Sequence, residues 1–131
     1  DIRKSIWLKL LINVAINPIC SIAGVRNGSL MESTYLWDQS ISAMYEASSV
    51  AHACGIDLSD IDLEATLSEV VNSTADNRCS MLQDLMAGRK TEIESICGAI
   101  VSKGESVGIP TPRNSMLMAL VRGIESSSEL H

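Results

Sequence analysis

The 131-residue chain predicts an all-α fold, a compact bundle of about five to six helices. Three observations carry that expectation. Apolar residues make up 46% of the chain, yet there are only two Trp and two Tyr and no Phe. The core must therefore come from Leu, Ile, Val, Ala and Met, which are mostly good helix formers. Three prolines are too few to break many helices. Alternating β-branched runs bounded by turn residues are absent, so no strand is expected. A chain of this length makes one domain, able to bury roughly 65–70% of its unfolded surface.

Taken in order, the first helix is expected over about Ile2 to Ile22. Apolar residues recur at Ile6, Leu10 and Val14 and at Leu11 and Ala15, and Ala23-Gly24 ends the pattern. Pro18 has no amide hydrogen and frees the Val14 carbonyl, which predicts a kink or break near Asn17. A loop over Gly24 to Ser29 follows, with Asn27-Gly28 as a turn pair because both residues tolerate positive φ. The second helix is expected from about Ser33 to Cys54, with Gly55 in the left-handed capping position.

The stretch GIDLSDID connects to a third helix over about Leu63 to Ala75. Asp76 to Ser80 reads as an irregular junction, and a short helix in SMLQDLMAG ends at Gly88. Thr91 can cap a helix over about Glu92 to Val107, stopped by Gly108. Thr111 as N-cap and Pro112 as first residue start the last helix, which ends near Ser126. The tail SSSELH is expected to fray.

Charge and cysteines narrow the function classes. The formal net charge is −6, which argues against nucleic acid as a partner. The acids cluster between Asp57 and Asp76 and read as a solvated helix face with its entry turn. A local lysine can still dominate a pocket. Cys20, Cys54, Cys79 and Cys97 form no C-x-x-C pair and have no zinc-ligand spacing, and the only histidines are His52 and His131. No metal site is expected, and the thiols suit a reduced, cytoplasmic protein. The opening DIRKSIWLKLL lacks the features of a signal peptide. The apolar stretch from Leu10 to Val25 is interrupted by Asn13, Asn17 and Pro18, so no membrane span is expected. A first residue of Asp rather than Met suggests a fragment or processed product.

Two groups of residues can carry chemistry. Lys9, Asn13 and Asn17 are spaced by four within an apolar helix. Each step of four rotates only about 40°, so the three share one stripe. Asparagine is unfavourable inside helices, and burying its amide without partners costs about 1–3 kcal/mol. The stripe therefore either lines a cleft, where Lys9 supplies charge and the amides orient a polar ligand, or it faces water or bonds neighbouring helices. The second group lies in NRCSMLQDL and GRKTEIE. Ser80 begins a short helix, where a hydroxyl and free amides can hold an anion, and Glu92 begins another. Taken alone, both are better explained by ordinary helix capping. His52, the methionines and the aromatic residues read as packing.

The runs WLKLLINVAINPI, RNG, NRCSMLQDL, GRKTEI and GIPTPRN, in that order and spacing, resemble the C-terminal domain of ketopantoate reductases (2-dehydropantoate 2-reductases). The likeness extends from about Ile6 to Val121. It implies an all-α domain like the C-terminal domain of 6-phosphogluconate dehydrogenase-type reductases. It also implies an N-terminal Rossmann domain that binds NADPH and is absent from residues 1–131. The isolated chain would then be inactive. The implied reaction is hydride transfer to the ketone of 2-dehydropantoate, a small anionic 2-oxo acid, giving pantoate for pantothenate and coenzyme A synthesis. By motif, Lys9 corresponds to the general acid. Asn13 and Asn17 would bind substrate and hold that lysine, Ser80 would bind the carboxylate, and Glu92 would engage the substrate hydroxyl and help poise Lys9. Asn27 matches a polar position and is equally a turn residue. Cys79 departs from the family, whose members often carry a second serine there. Two other readings stand beside this one: a reductase of another small 2-oxo acid, and a helical module for homodimerisation or partner binding.

Overall fold

A computed structural model describes residues 1–127 of the chain, so most of the tail expected to fray lies outside the described residues. Among the described residues the fold is all helix: α1 (Ile2–Ala23), α2 (Ser29–Glu32), α3 (Thr34–Ala53), α4 (Leu63–Ser73), α5 (Ser80–Met86), a 3-10 turn (Ile93–Ser95), α6 (Cys97–Val107) and α7 (Pro112–Ser126). The class is as expected. The count exceeds the five to six helices anticipated because α2 is an extra single turn, placed just after the expected loop.

The core is centred on α1, which packs along α3 and also meets α5 and α7. Leu11, Val14, Ala15 and Cys20 of α1 are fully buried, and Met44, Ala47 and Val50 of α3 are buried with them. Ile93, Cys97 and Ile100 extend the same core. By length and a mean hydropathy of 1.7, α1 is apolar enough to cross a membrane. From Leu11 onward most of its apolar side chains pack against the other helices, as in the core helix of a bundle, while Ile2 and Ile6 are exposed.

Three local expectations change. Of the kink or break expected near Asn17, the break does not occur: α1 continues through Pro18 to Ala23, with Gly24 in the left-handed cap at φ 69°. Burial on several sides outweighs the single backbone hydrogen bond that proline removes. The Asn27-Gly28 pair does not use positive φ, since Gly28 sits at φ −59° and, among the described residues, no non-glycine residue has positive φ. Glycine is needed there for space: an added Cβ would lie 2.9 Å from the Ala75 Cβ. The helix expected from Glu92 is split, with a 3-10 turn ending at Ile96 (φ −107°, ψ −90°) before α6 starts.

The last helix starts at Pro112 as expected, but Thr111 makes no side-chain cap. Glu46 of α3 takes that role. Its Oε2 accepts from the Arg113 amide at 3.0 Å, and its Oε1 accepts from the Asn114 amide and from Asn114 Nδ2, both at 2.9 Å. A carboxylate at a helix N-terminus satisfies free amides and matches the helix dipole. Asn114 is fully buried, and its Nδ2 also donates to the Ala43 carbonyl at 3.3 Å.

Candidate active site

The polar stripe of α1 lies at the edge of the core and not within it. Lys9 is exposed, and Asn13 and Asn17 are half-buried. The residues between them, Leu11, Ile12, Val14, Ala15 and Ile16, are buried and fix the rotation of the helix. The stripe is thus held by packing on the opposite face. Lys9 and Asn13 line a depression of about 400 Å³ with Ser5, Leu8 and Ile12 of α1 and with Thr66 and Val70 of α4. Among the described residues, ion pairs engage Lys4, Arg89 and Arg122, but none engages Lys9. Among the described residues, no hydrogen bond occupies the side-chain amides of Asn13 or Asn17. These side chains neither bond a neighbouring helix nor sit unsatisfied in the interior.

Asn17, Ser80 and Glu92 do not line that depression, and the residue before Ser80 contacts the backbone of α1. The Cys79 thiol donates to the Asn17 carbonyl at 3.7 Å and lies 3.6 Å from Ser21 Oγ. Cys79 is only 8% exposed, so its sulfur faces α1. The departure from serine at this position therefore falls on a packing contact. Ser80 follows as the first residue of α5 and is exposed. It makes no capping bond, because α5 has no side-chain cap.

Glu92 likewise caps nothing. It precedes the 3-10 turn, is exposed, and its carboxylate makes no cap to that turn. No hydrogen bond or ion pair joins it to Lys9. The ordinary structural explanation for Ser80 and Glu92 is therefore not realised in either case. Asn27 is placed differently. It is 7% exposed, its Nδ2 donates to Thr74 Oγ1 at 3.0 Å, and its backbone amide donates to the Asn77 carbonyl at 3.0 Å. It joins the α1–α2 loop to the α4–α5 junction, not to the stripe; its Oδ1 is buried without a partner.

A larger concavity, about 620 Å³, lies beside His52, Ile56 and Asp57. Several of its polar groups are already engaged: Ser48 Oγ donates to the Tyr45 carbonyl at 2.8 Å, and Ser59 Oγ donates to Asp57 Oδ1 at 2.6 Å. Those Ser59 bonds hold the Asp57 carboxyl below its ordinary value. Volume alone does not make that concavity the better candidate. Among the described residues, no group of three or more His, Cys, Asp or Glu side chains could hold a metal ion.

Comparison with known proteins places the chain in a family. Residues 1–125 match the family described as ketopantoate reductase PanE/ApbA C terminal. The chain is 43% identical over 126 residues to a 2-dehydropantoate 2-reductase of Archaeoglobus fulgidus, covering 96% of this chain and 42% of that protein. The chain thus spans less than half the length of that relative. Its fold is similar to a PanE/ApbA family ketopantoate reductase from Ralstonia eutropha JMP134, with a TM-score of 0.88 and 33% identity over 95% of this chain and 42% of the other. It is also similar to a D-mandelate dehydrogenase solved with NADH and anilino(oxo)acetate, with a TM-score of 0.86 and 27% identity, covering 98% of this chain and 42% of that one. The chain belongs to the ketopantoate reductase family, whose C-terminal domain it matches.

Proposed function

We propose that this chain is the substrate-binding half of an NADPH-dependent reductase that converts 2-dehydropantoate to pantoate. The observation that carries the proposal is the unengaged stripe. Lys9 and Asn13 share one depression, the Cys79 thiol ties the segment just before Ser80 to the Asn17 backbone, and among the described residues no hydrogen bond or ion pair engages the Lys9, Asn13, Asn17 or Ser80 side chains. Polar groups held in place by a rigid core, yet without partners, are suited to a ligand.

The chemistry follows from charge. A nicotinamide cofactor, held mainly by a Rossmann domain outside these 131 residues, supplies the hydride when bound. Reduction of a ketone leaves negative charge on its oxygen. The Lys9 ammonium stabilises that charge and gives the oxygen a proton. Asn13 and Asn17 orient the substrate and limit the movement of the lysine. Ser80 donates to the substrate carboxylate, and Glu92 accepts from its hydroxyl. Asn27 stands at the margin, because its amide nitrogen is already committed to Thr74. The thiols of Cys20, Cys54, Cys79 and Cys97 are all free, as suits a reducing cytoplasm.

A second reading changes only the substrate. The likeness to a D-mandelate dehydrogenase favours another small 2-oxo acid. The test is an assay of the complete reductase with NADPH against a panel of branched and aromatic 2-oxo acids. Fastest turnover of 2-dehydropantoate is expected. No turnover of it, with efficient reduction of another acid, would reject the first reading in favour of the second.

A further inference from the structure

We infer that Glu125 is a positioning residue for Glu92, bracing the turn that presents it. The inference rests on the role proposed above for Glu92. The Thr91 amide donates to Glu125 Oε2 at 2.9 Å, and Thr91 Oγ1 donates to the same oxygen at 2.6 Å. Thr91 Oγ1 in turn accepts from the Ile93 amide at 3.2 Å. On the far side, Glu94 pairs with Arg122, whose Nη1 also lies 3.6 Å from Glu125 Oε1. Ile93 is fully buried. Of the residues from Thr91 to Glu94, only Glu92 has a side chain with neither a buried seat nor a bonded partner.

Local rules do not account for Glu125. It sits in the last turn of α7, where the helix dipole disfavours a carboxylate. Its side chain is only 12% exposed, so the charge is also partly desolvated. The bonds to Thr91 and the nearby Arg122 guanidinium offset these costs. A residue that breaks a local rule and makes a two-bond contact to a distant segment points to a requirement at that contact. Here the contact fixes the backbone immediately before Glu92. A displacement of about 1 Å at a reacting group can cost roughly 100-fold in rate, so such a brace has catalytic leverage.

The test is a double-mutant cycle in the complete reductase, reading kcat and KM for 2-dehydropantoate. Glu125→Ala is expected to lower kcat about tenfold or more with a smaller change in KM. Glu125→Gln keeps an oxygen that can accept from both Thr91 donors, and should recover most of that loss. In a Glu92→Gln background, Glu125→Ala should have little further effect, because the brace then holds nothing that acts. If Glu125→Ala lowers kcat equally in both backgrounds, Glu125 is a general structural residue and the inference is overturned. If Glu92→Gln alone lowers kcat while a folded Glu125→Ala does not, the inference fails and the role of Glu92 stands. If Glu92→Gln changes nothing, the role of Glu92 fails and the inference falls with it. Should Glu125→Ala not fold, Thr91→Val removes the 2.6 Å bond to Glu125 together with the bond that Thr91 Oγ1 accepts from the Ile93 amide, and keeps the Thr91 amide bond to Glu125. It is expected to lower kcat severalfold only when Glu92 is present, and any other pattern overturns the inference.

Discussion

Replacing Glu46 with alanine tests how the last helix is held. The Glu46 carboxylate receives three hydrogen bonds, from the Arg113 amide, the Asn114 amide and Asn114 Nδ2. No side chain next to α7 replaces it, since Thr111 makes no cap. A hydrogen bond to a charged acceptor contributes about 1.5–3 kcal/mol, and contributions that share one group do not add fully. Truncation would free two helix amides and leave the fully buried Asn114 with a single weak partner at 3.3 Å. The expected loss is about 3 kcal/mol, which for a chain of this size lowers Tm by about 10 °C. Glu46→Gln keeps one accepting oxygen and should lose roughly half as much. Urea unfolding followed by circular dichroism measures both. A Glu46→Ala protein within about 1 kcal/mol of wild type would refute the tertiary cap, and α7 would then be held by apolar burial alone.

Three further outcomes are expected. In the complete reductase, Lys9→Ala should reduce turnover by about 100-fold or more, the usual range for losing a general acid, with little effect on NADPH affinity; unchanged turnover contradicts the role. Calorimetry of the isolated 131-residue chain should show no tight NADPH binding and no reductase activity, and tight binding would contradict a cofactor site in another domain. Burial raises the Cys20 thiol to about 12, with Cys79 adding to it, and burial raises Cys97 to about 12, with Glu46 adding to it. Half-buried Cys54 should therefore be alkylated first at pH 8, as mass spectrometry of a timed reaction would show. The stability these two thiols contribute is present below their ordinary value of 9.0 and is lost as pH rises toward 12.

Much of this fold is legible locally. The Gly24 and Gly108 caps and the start of α7 at Pro112 lie where turn chemistry places them. What escapes is decided by partners distant along the chain. Thr111 is a plausible cap by type, but Glu46 does the capping from another helix. Thr91 does accept from the Ile93 amide, yet its bonds to Glu125 accompany a tighter 3-10 turn in place of a continuous helix. Gly28 serves a close approach to Ala75, a need that no turn propensity encodes. The site divides in the same way. The Lys9–Asn13–Asn17 stripe follows from spacing alone. Ser80 and Glu92 are indistinguishable from ordinary caps by position, and only the structure shows that neither caps anything.

The site stripe and the centre of the core share a single helix, which limits how specificity can evolve. A register slip of one residue would turn α1 by about 100° and drive Lys9 toward the interior. Insertions and hinge changes, the common routes by which loop-borne sites diversify, are therefore closed to this face. New substrates would have to be accommodated by point changes on the facing elements, such as Thr66 and Val70 of α4, while the row on α1 stays in place.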